Sequence, residues 1–243
     1  MALPRTSSSQ DRWLDRLIPR YAQLPLLASL LWNLTVYYGS KLLTRQWPHH
    51  QMGSLLDAKI PFLPWTACIY LGCYLFWAVN YVLTARQSRQ RMERLLSADF
   101  LAKAVCFLCF LLYPTTISRP QVSAPGFWNS VIRFIYRQDT PVNLFPSIHC
   151  LISWFSWLGV RKQRGIPRWY RGFSLGAALA VFVSTLTTRQ HVLADVLGGA
   201  ALAGLSWWIT VPSGFAARYG RFFDRVTRRK RPPRDGQTIL HNS

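Results

Sequence analysis

Acidic residues are scarce in this chain: its 243 residues include nine Asp and Glu against 29 Lys and Arg, a formal net charge of +20. Cysteine is also uninformative as chemistry. The five (Cys68, Cys73, Cys106, Cys109, Cys150) are odd in number, lie in apolar stretches and have no flanking His or Cys cluster. That excludes a disulfide framework and a zinc site. Cys106-x-x-Cys109 has the spacing of a redox pair, but two small apolar residues on a buried helix is the better reading. His49 and His50 lack a third ligand and are expected in a solvated loop. No metal and no cofactor is expected. No small-residue cleavage site precedes the first apolar run, so residues 1–20 read as a cytoplasmic N-terminal segment rather than a removed signal.

Long uncharged runs are what the chain does have, and they exclude nucleic acid as the partner that so much positive charge would otherwise suggest. Six runs are present: Tyr21 to Ser40, Ile60 to Ala85, Phe100 to Ser118, Pro146 to Val160, Gly172 to Thr188 and Val192 to Ala216. Most are long enough to cross a hydrocarbon core as helix. The expectation is an all-α integral membrane protein with six transmembrane helices spanning residues 21–216. Lys103 is expected to snorkel at the start of the third run. Pro114 and Pro120 end regular helix there, and Gln121 to Val142 reads as a loop along the membrane surface, with Arg133, Arg137 and Asp139 solvated. Gly198, Gly199 and Gly204 read as sites of close helix packing.

Charge sets the orientation. With both termini inside, the cytoplasmic segments hold twenty-one Lys and Arg and the outer ones seven, the bias that membrane proteins follow. Arg86 to Arg94 and Arg161 to Arg171 are then inner links. The basic tail, residues 217–243, is expected to be disordered or to lie on anionic lipid at the cytoplasmic face. Arg119, His149, Arg189 and His191 all fall at the extracytoplasmic ends of helices 3–6.

Those residues suit phosphoryl chemistry. An Asp within an apolar run is expensive in a bilayer and marks a functional site. Asp195 lies four residues after His191, on the same helical face, where it can orient the ring and stabilise its charge. His191 is therefore the expected nucleophile, and His149 the acid and later the base. Arg119 and Arg189 can neutralise phosphate oxygens through forked donors. Ser147, at the start of the fourth run, can add a further bond beside a helix N-terminus, though a serine there also serves as a cap.

Pro146-Ser147-Ile148-His149 resembles the second signature of the type 2 phosphatidic-acid phosphatase superfamily, which also includes vanadium haloperoxidases. Ser184, His191 and Asp195 resemble its third, Ser-Arg-x5-His-x3-Asp, and Arg119-Pro120 resembles the end of its first, Lys-x6-Arg-Pro. The resemblance covers about 60–212. It implies a six-helix membrane core, a phosphohistidine intermediate and no metal requirement. The chain departs from the pattern at Leu112, where the first signature has Lys, and at Thr185, where the third has Arg. The segment from Ser184 to His191 is more similar to the branch containing inositol phosphorylceramide synthases, in which a basic residue stands where Arg189 does.

The expected function is a phosphatase acting on a lipid phosphate or diphosphate in a multi-pass cell membrane, with the style of a bacterial plasma membrane protein. A phospholipid-dependent phosphotransferase would use the same histidines. A non-enzymatic anion transporter or binding protein is the reading from another class, and the absence of inverted repeats counts against it.

Overall fold

The computed structural model describes residues 15–227. The expectations for residues 1–14 and for the tail beyond 227 lie outside the described residues. After a helical stretch at 15–17, the long helix α1 (Arg20–Leu34) runs through a π-helical turn (Thr35–Gly39) into the short α2 (Ser40–Leu43). After α3 (Leu55–Ala58) and a 3-10 turn (Pro64–Thr66) come α4 (Ala67–Gln87) and α5 (Arg89–Leu112). The amphipathic α6 (Phe127–Gln138) precedes α7 (Ile148–Val160), α8 (Arg168–Thr187), α9 (Leu193–Ile209) and α10 (Phe215–Val226). β structure among the described residues is confined to a parallel pairing of β1 (His50–Gln51) with β2 (Thr115–Thr116) and an antiparallel bridge from Thr116 to Val142. The parallel pairing places His50 in a ladder, its ring stacked on Tyr113 at 4.2 Å, rather than in a free loop.

Several boundaries differ from the sequence reading. The third run is the second half of a longer helix: α5 starts at Arg89, because Ser88 alone breaks the chain. Its backbone is extended and its hydroxyl accepts the Arg91 N–H at 3.1 Å, the N-cap that a serine supplies. The sixth run stops at Ile209, and residues 210–214 turn the chain into α10. The start of the tail is therefore ordered helix, with Tyr219 packed on the core and Arg89 paired to Asp224. Lys103 does not snorkel. It is 2% exposed and bonds Asp99 at 2.8 Å, and Tyr81 and Ser29 hydroxyls complete that carboxylate's shell. A buried lysine needs such a partner, and α5 supplies it one turn away.

Pro64–Gln87 and Arg89–Leu112 are 24 residues each and apolar enough to cross a membrane, with mean hydropathy 1.5 and 2.1. Ile148–Val160 and Leu193–Ile209 are apolar but shorter. Outward faces carry Leu27, Leu30, Tyr38, Leu75, Leu108, Leu197 and Trp208, all exposed. Water tolerates little contiguous surface of that kind, whereas a bilayer favours it.

The long helices alternate in direction, so the chain separates into two ends. The basic segments gather at one of them. There Arg86 donates to the Arg16 carbonyl (2.7 Å), Arg91 to the Lys162 carbonyl (3.2 Å), and Tyr21 to the Ala85 carbonyl (2.6 Å). His149 and His191 lie at the other end, beside β1, β2 and α6. α7 is the central helix, touching α4, α5, α8 and α9.

α7 and α9 cross closely. A Cβ on Gly199 would sit 2.4 Å from the Ser147 carbonyl oxygen and 3.3 Å from the Leu151 nitrogen, so no larger residue fits. Gly204 faces nothing within 4 Å. Gly199→Ala is expected to cost roughly 1–3 kcal/mol through overpacking and to lower the melting temperature in detergent. Gly204→Ala should melt at or above wild type, because alanine favours helix by about 1 kcal/mol over glycine.

Candidate active site

Three of the sequence-predicted residues meet. His191 Nδ1 lies 3.2 Å from Asp195 Oδ2, which also accepts the Val192 N–H at 3.0 Å. The carboxylate thus holds one ring nitrogen of His191 and leaves Nε2 for chemistry. The Asp195 carbonyl accepts the Ser147 N–H at 3.1 Å, which ties the start of α9 to the start of α7. At the second residue of α7, the His149 ring comes 5.7 Å from that of His191, centroid to centroid, tilted by 59°.

His149 occupies an aromatic enclosure, stacked on Tyr70 at 4.7 Å with Trp77 at 5.5 Å and Tyr74 at 6.2 Å. Both histidines line a cavity of about 240 Å³ whose mouth is formed by Leu34, Tyr38, Leu71 and Phe134. Those four side chains are exposed on the outer helix faces or nearly so, so the cavity opens sideways among apolar residues.

The other three predicted residues are placed differently. Ser147 is fully buried and caps α7, accepting the Cys150 N–H at 3.3 Å. Arg119 lies behind the cavity wall, stacked on Tyr136 at 4.6 Å, with its guanidinium bonded to the Asp139 carbonyl and the Gln190 side-chain oxygen. Arg189 faces another space. Its two terminal nitrogens bond the carbonyls of Asp57 (2.6 Å) and Ile60 (2.5 Å), and it lines a second, more open cavity that shares His191 as a wall.

Residues that sequence reasoning missed complete the site. Asp139, read as solvated, lines the cavity and accepts bonds from Lys41 (2.8 Å) and the Tyr37 hydroxyl. Burial opposes its charge, but Lys41 and Tyr37 prevail and hold its carboxyl below the usual value. Asp57 acts through backbone: its carboxylate accepts the Leu193 N–H at 2.8 Å, two residues after His191, while its carbonyl takes Arg189, two residues before. The segment carrying the candidate nucleophile is thus clamped from both sides. A Ser54-x-x-Asp57 capping box was the available signal, though it indicates only a local helix start.

Buried polar atoms with no partner concentrate here. His149 Nε2, Gln190 Nε2, Arg119 Nε and Asp195 Oδ1 are four of the eight among the described residues. Native proteins seldom leave such groups unpaired without a functional reason. Among the described residues, no three His, Cys, Asp or Glu side chains cluster as metal ligands.

Residues 42–209 match the family model of the PAP2 superfamily, so the chain belongs to that superfamily. The match begins near α2, earlier than the motifs alone indicated. No curated protein and no solved structure matches the chain. Membership brings phosphatase-type activity on phosphate esters and, with the apolar helices, a membrane setting.

Removing the Asp57 clamp tests its positioning role. Asp57→Ala leaves the partly buried Leu193 N–H without its carboxylate acceptor and is expected to cost about 1 kcal/mol, seen as a lower unfolding midpoint. Asp57→Asn keeps an oxygen acceptor and should recover part of that loss.

Proposed function

We propose that the protein is a membrane enzyme that breaks a lipid phosphate ester through a phosphohistidine at His191. The observation that carries this reading is the pairing of His191, oriented by Asp195, with His149 across 5.7 Å. His191 Nε2 attacks phosphorus and the phosphorus–oxygen bond to the departing alcohol breaks. His149 gives that oxygen its proton. An acceptor hydroxyl then attacks from the side just vacated, His149 takes its proton, and the phosphorus–nitrogen bond breaks. Arg119 supplies positive charge, reaching the phosphate when its bond to Gln190 is exchanged for one to the ligand. Arg189 acts chiefly as the clamp on the His191 segment, and Ser147 as the cap that fixes the start of α7.

With water as acceptor the enzyme is a phosphatase for a lipid phosphate or diphosphate. Transfer to a second alcohol, as in phosphotransferases, is favoured by one feature: His149 is surrounded by Tyr70, Tyr74 and Trp77, which exclude water from the acceptor position. The six-span, inside-termini topology belongs to the same proposal. It is supported by the alternating helices and by the basic segments gathered at one end, where anionic cytoplasmic lipid would meet them.

The test uses purified protein in chelator-containing buffer with a panel of lipid phosphate esters, with and without added alcohol acceptors. His191→Ala and His149→Ala are each expected to lose about 10²–10⁴-fold in turnover, the range for an acid–base or nucleophilic group, with unchanged melting temperature. Substrate labelled at phosphorus should leave acid-labile, base-stable label on wild type and none on His191→Ala. Full activity in either histidine variant rejects the assignment.

A further inference from the structure

The cavity beside the histidines has a composition unlike that of the rest of the chain. The protein carries a net charge of +20, yet no Lys or Arg lines this cavity. Its walls present Tyr37, Tyr38, Tyr70, Tyr74 and Trp77, with Asp139 as the one carboxylate. Aromatic faces carry negative potential and attract cations, ammonium groups above all. A carboxylate at the edge of such a box strengthens that preference.

The fold already uses these groups as a cation seat. Lys41 Nζ rests over the Tyr37 ring, 4.1 Å from its centroid, and bonds Asp139 at 2.8 Å. Both the Lys41 and Tyr37 bonds end on Oδ1 of Asp139, so Oδ2 keeps its lone pairs for a ligand. The anionic side of the balance agrees. A phosphate monoester carries close to two negative charges at neutral pH and calls for several cations. Here Arg119 is behind Gln190 and Arg189 is committed to two carbonyls. A diester carries one negative charge and needs less.

The geometry points to a phosphate ester whose alcohol bears an ammonium group, as choline and ethanolamine do, held with its phosphate between His149 and His191 and its ammonium among Tyr37, Tyr38, Tyr74 and Asp139. This rests on the reading of the histidines as a phosphate site and adds the substrate class. In such a diester the bond that breaks is the one to the lipid's glycerol oxygen, which receives the His149 proton, and the phosphoryl-alcohol passes to His191. The apolar mouth at Leu34, Leu71 and Phe134 then faces the acyl chains.

Binding separates this inference from catalysis. Full-length protein in detergent is titrated with phosphocholine, glycerol phosphate and inorganic phosphate, following Trp77 fluorescence and calorimetric heat. The same protein is offered phosphatidylcholine and phosphatidic acid in mixed micelles. Phosphocholine is expected to bind about tenfold tighter than glycerol phosphate, the discrimination that one desolvated cation–π seat supplies. Tyr74→Leu, at a half-exposed ring, should lower that ratio severalfold at unchanged melting temperature, and Asp139→Asn should lower it as far while also lowering the melting temperature, because Lys41 loses its carboxylate partner. Glycerol phosphate binding as tightly as phosphocholine, or a ratio that survives both substitutions, overturns the inference. Preferential phosphocholine binding without turnover of either lipid upholds it and defeats the catalytic reading. Turnover of phosphatidic acid with no preference for the cationic headgroup does the reverse. Preference for phosphatidylcholine over free phosphocholine identifies the lipid as the source.

Discussion

The site depends on one close approach. α9 passes over the start of α7 with Gly199 against the Ser147 carbonyl, and the Ser147 amide bonds the Asp195 carbonyl in return. At that distance His149, the second residue of α7, and His191, just before α9, have their rings 5.7 Å apart. A methyl group at position 199 would separate the helices, and with them the two imidazoles. Asp195 takes part twice: its backbone joins the helices and its side chain orients His191. Packing and chemistry are therefore coupled at the same residue.

A second layer keeps His191 from moving on its own. The turn between α8 and α9 places Arg189 at a positive φ of 55°, a conformation that costs energy for a non-glycine residue. The Arg189 fork on two carbonyls and the Asp57 carboxylate on Leu193 compensate for that cost. Long side chains and loop backbone thus tie this turn to α3 and the residues just after it. Preorganisation of this sort is what allows a nucleophile to act at a defined distance.

The helices were legible because apolar runs of this length have few alternatives, and the histidines because ionisable groups in such runs are costly. The His191–Asp195 contact was expected from a shared helical face and is present, but His191 precedes α9 and reaches the carboxylate from the turn before it. What the sequence hid were functions performed by backbone carbonyls and by distant partners. Arg189 reads as a phosphate ligand from its place beside His191, yet its hydrogen bonds go to Asp57 and Ile60, some 130 positions away. Lys41 counted only as one outer charge among seven. Its position over Tyr37 depends on a π-helical turn, a feature that recurs at functional sites and has no simple sequence signature. Lys103 looked like an interfacial cation because its partner, Asp99, lies just outside the apolar run as read. Ser88 shows how little chain a helix break requires.

The aromatic enclosure links the arrangement to its chemistry. In a double displacement at phosphorus, the alcohol that leaves and the acceptor that arrives occupy the same side, opposite His191. Here that side is occupied by His149 with Tyr70, Tyr74 and Trp77 around it. Rings that favour an ammonium group also repel bulk water, so recognition of the headgroup and choice of acceptor are not independent. A wall made wetter to speed hydrolysis would hold a cation less well. A wall made drier would favour a lipid alcohol over water as the group that takes the phosphoryl from His191.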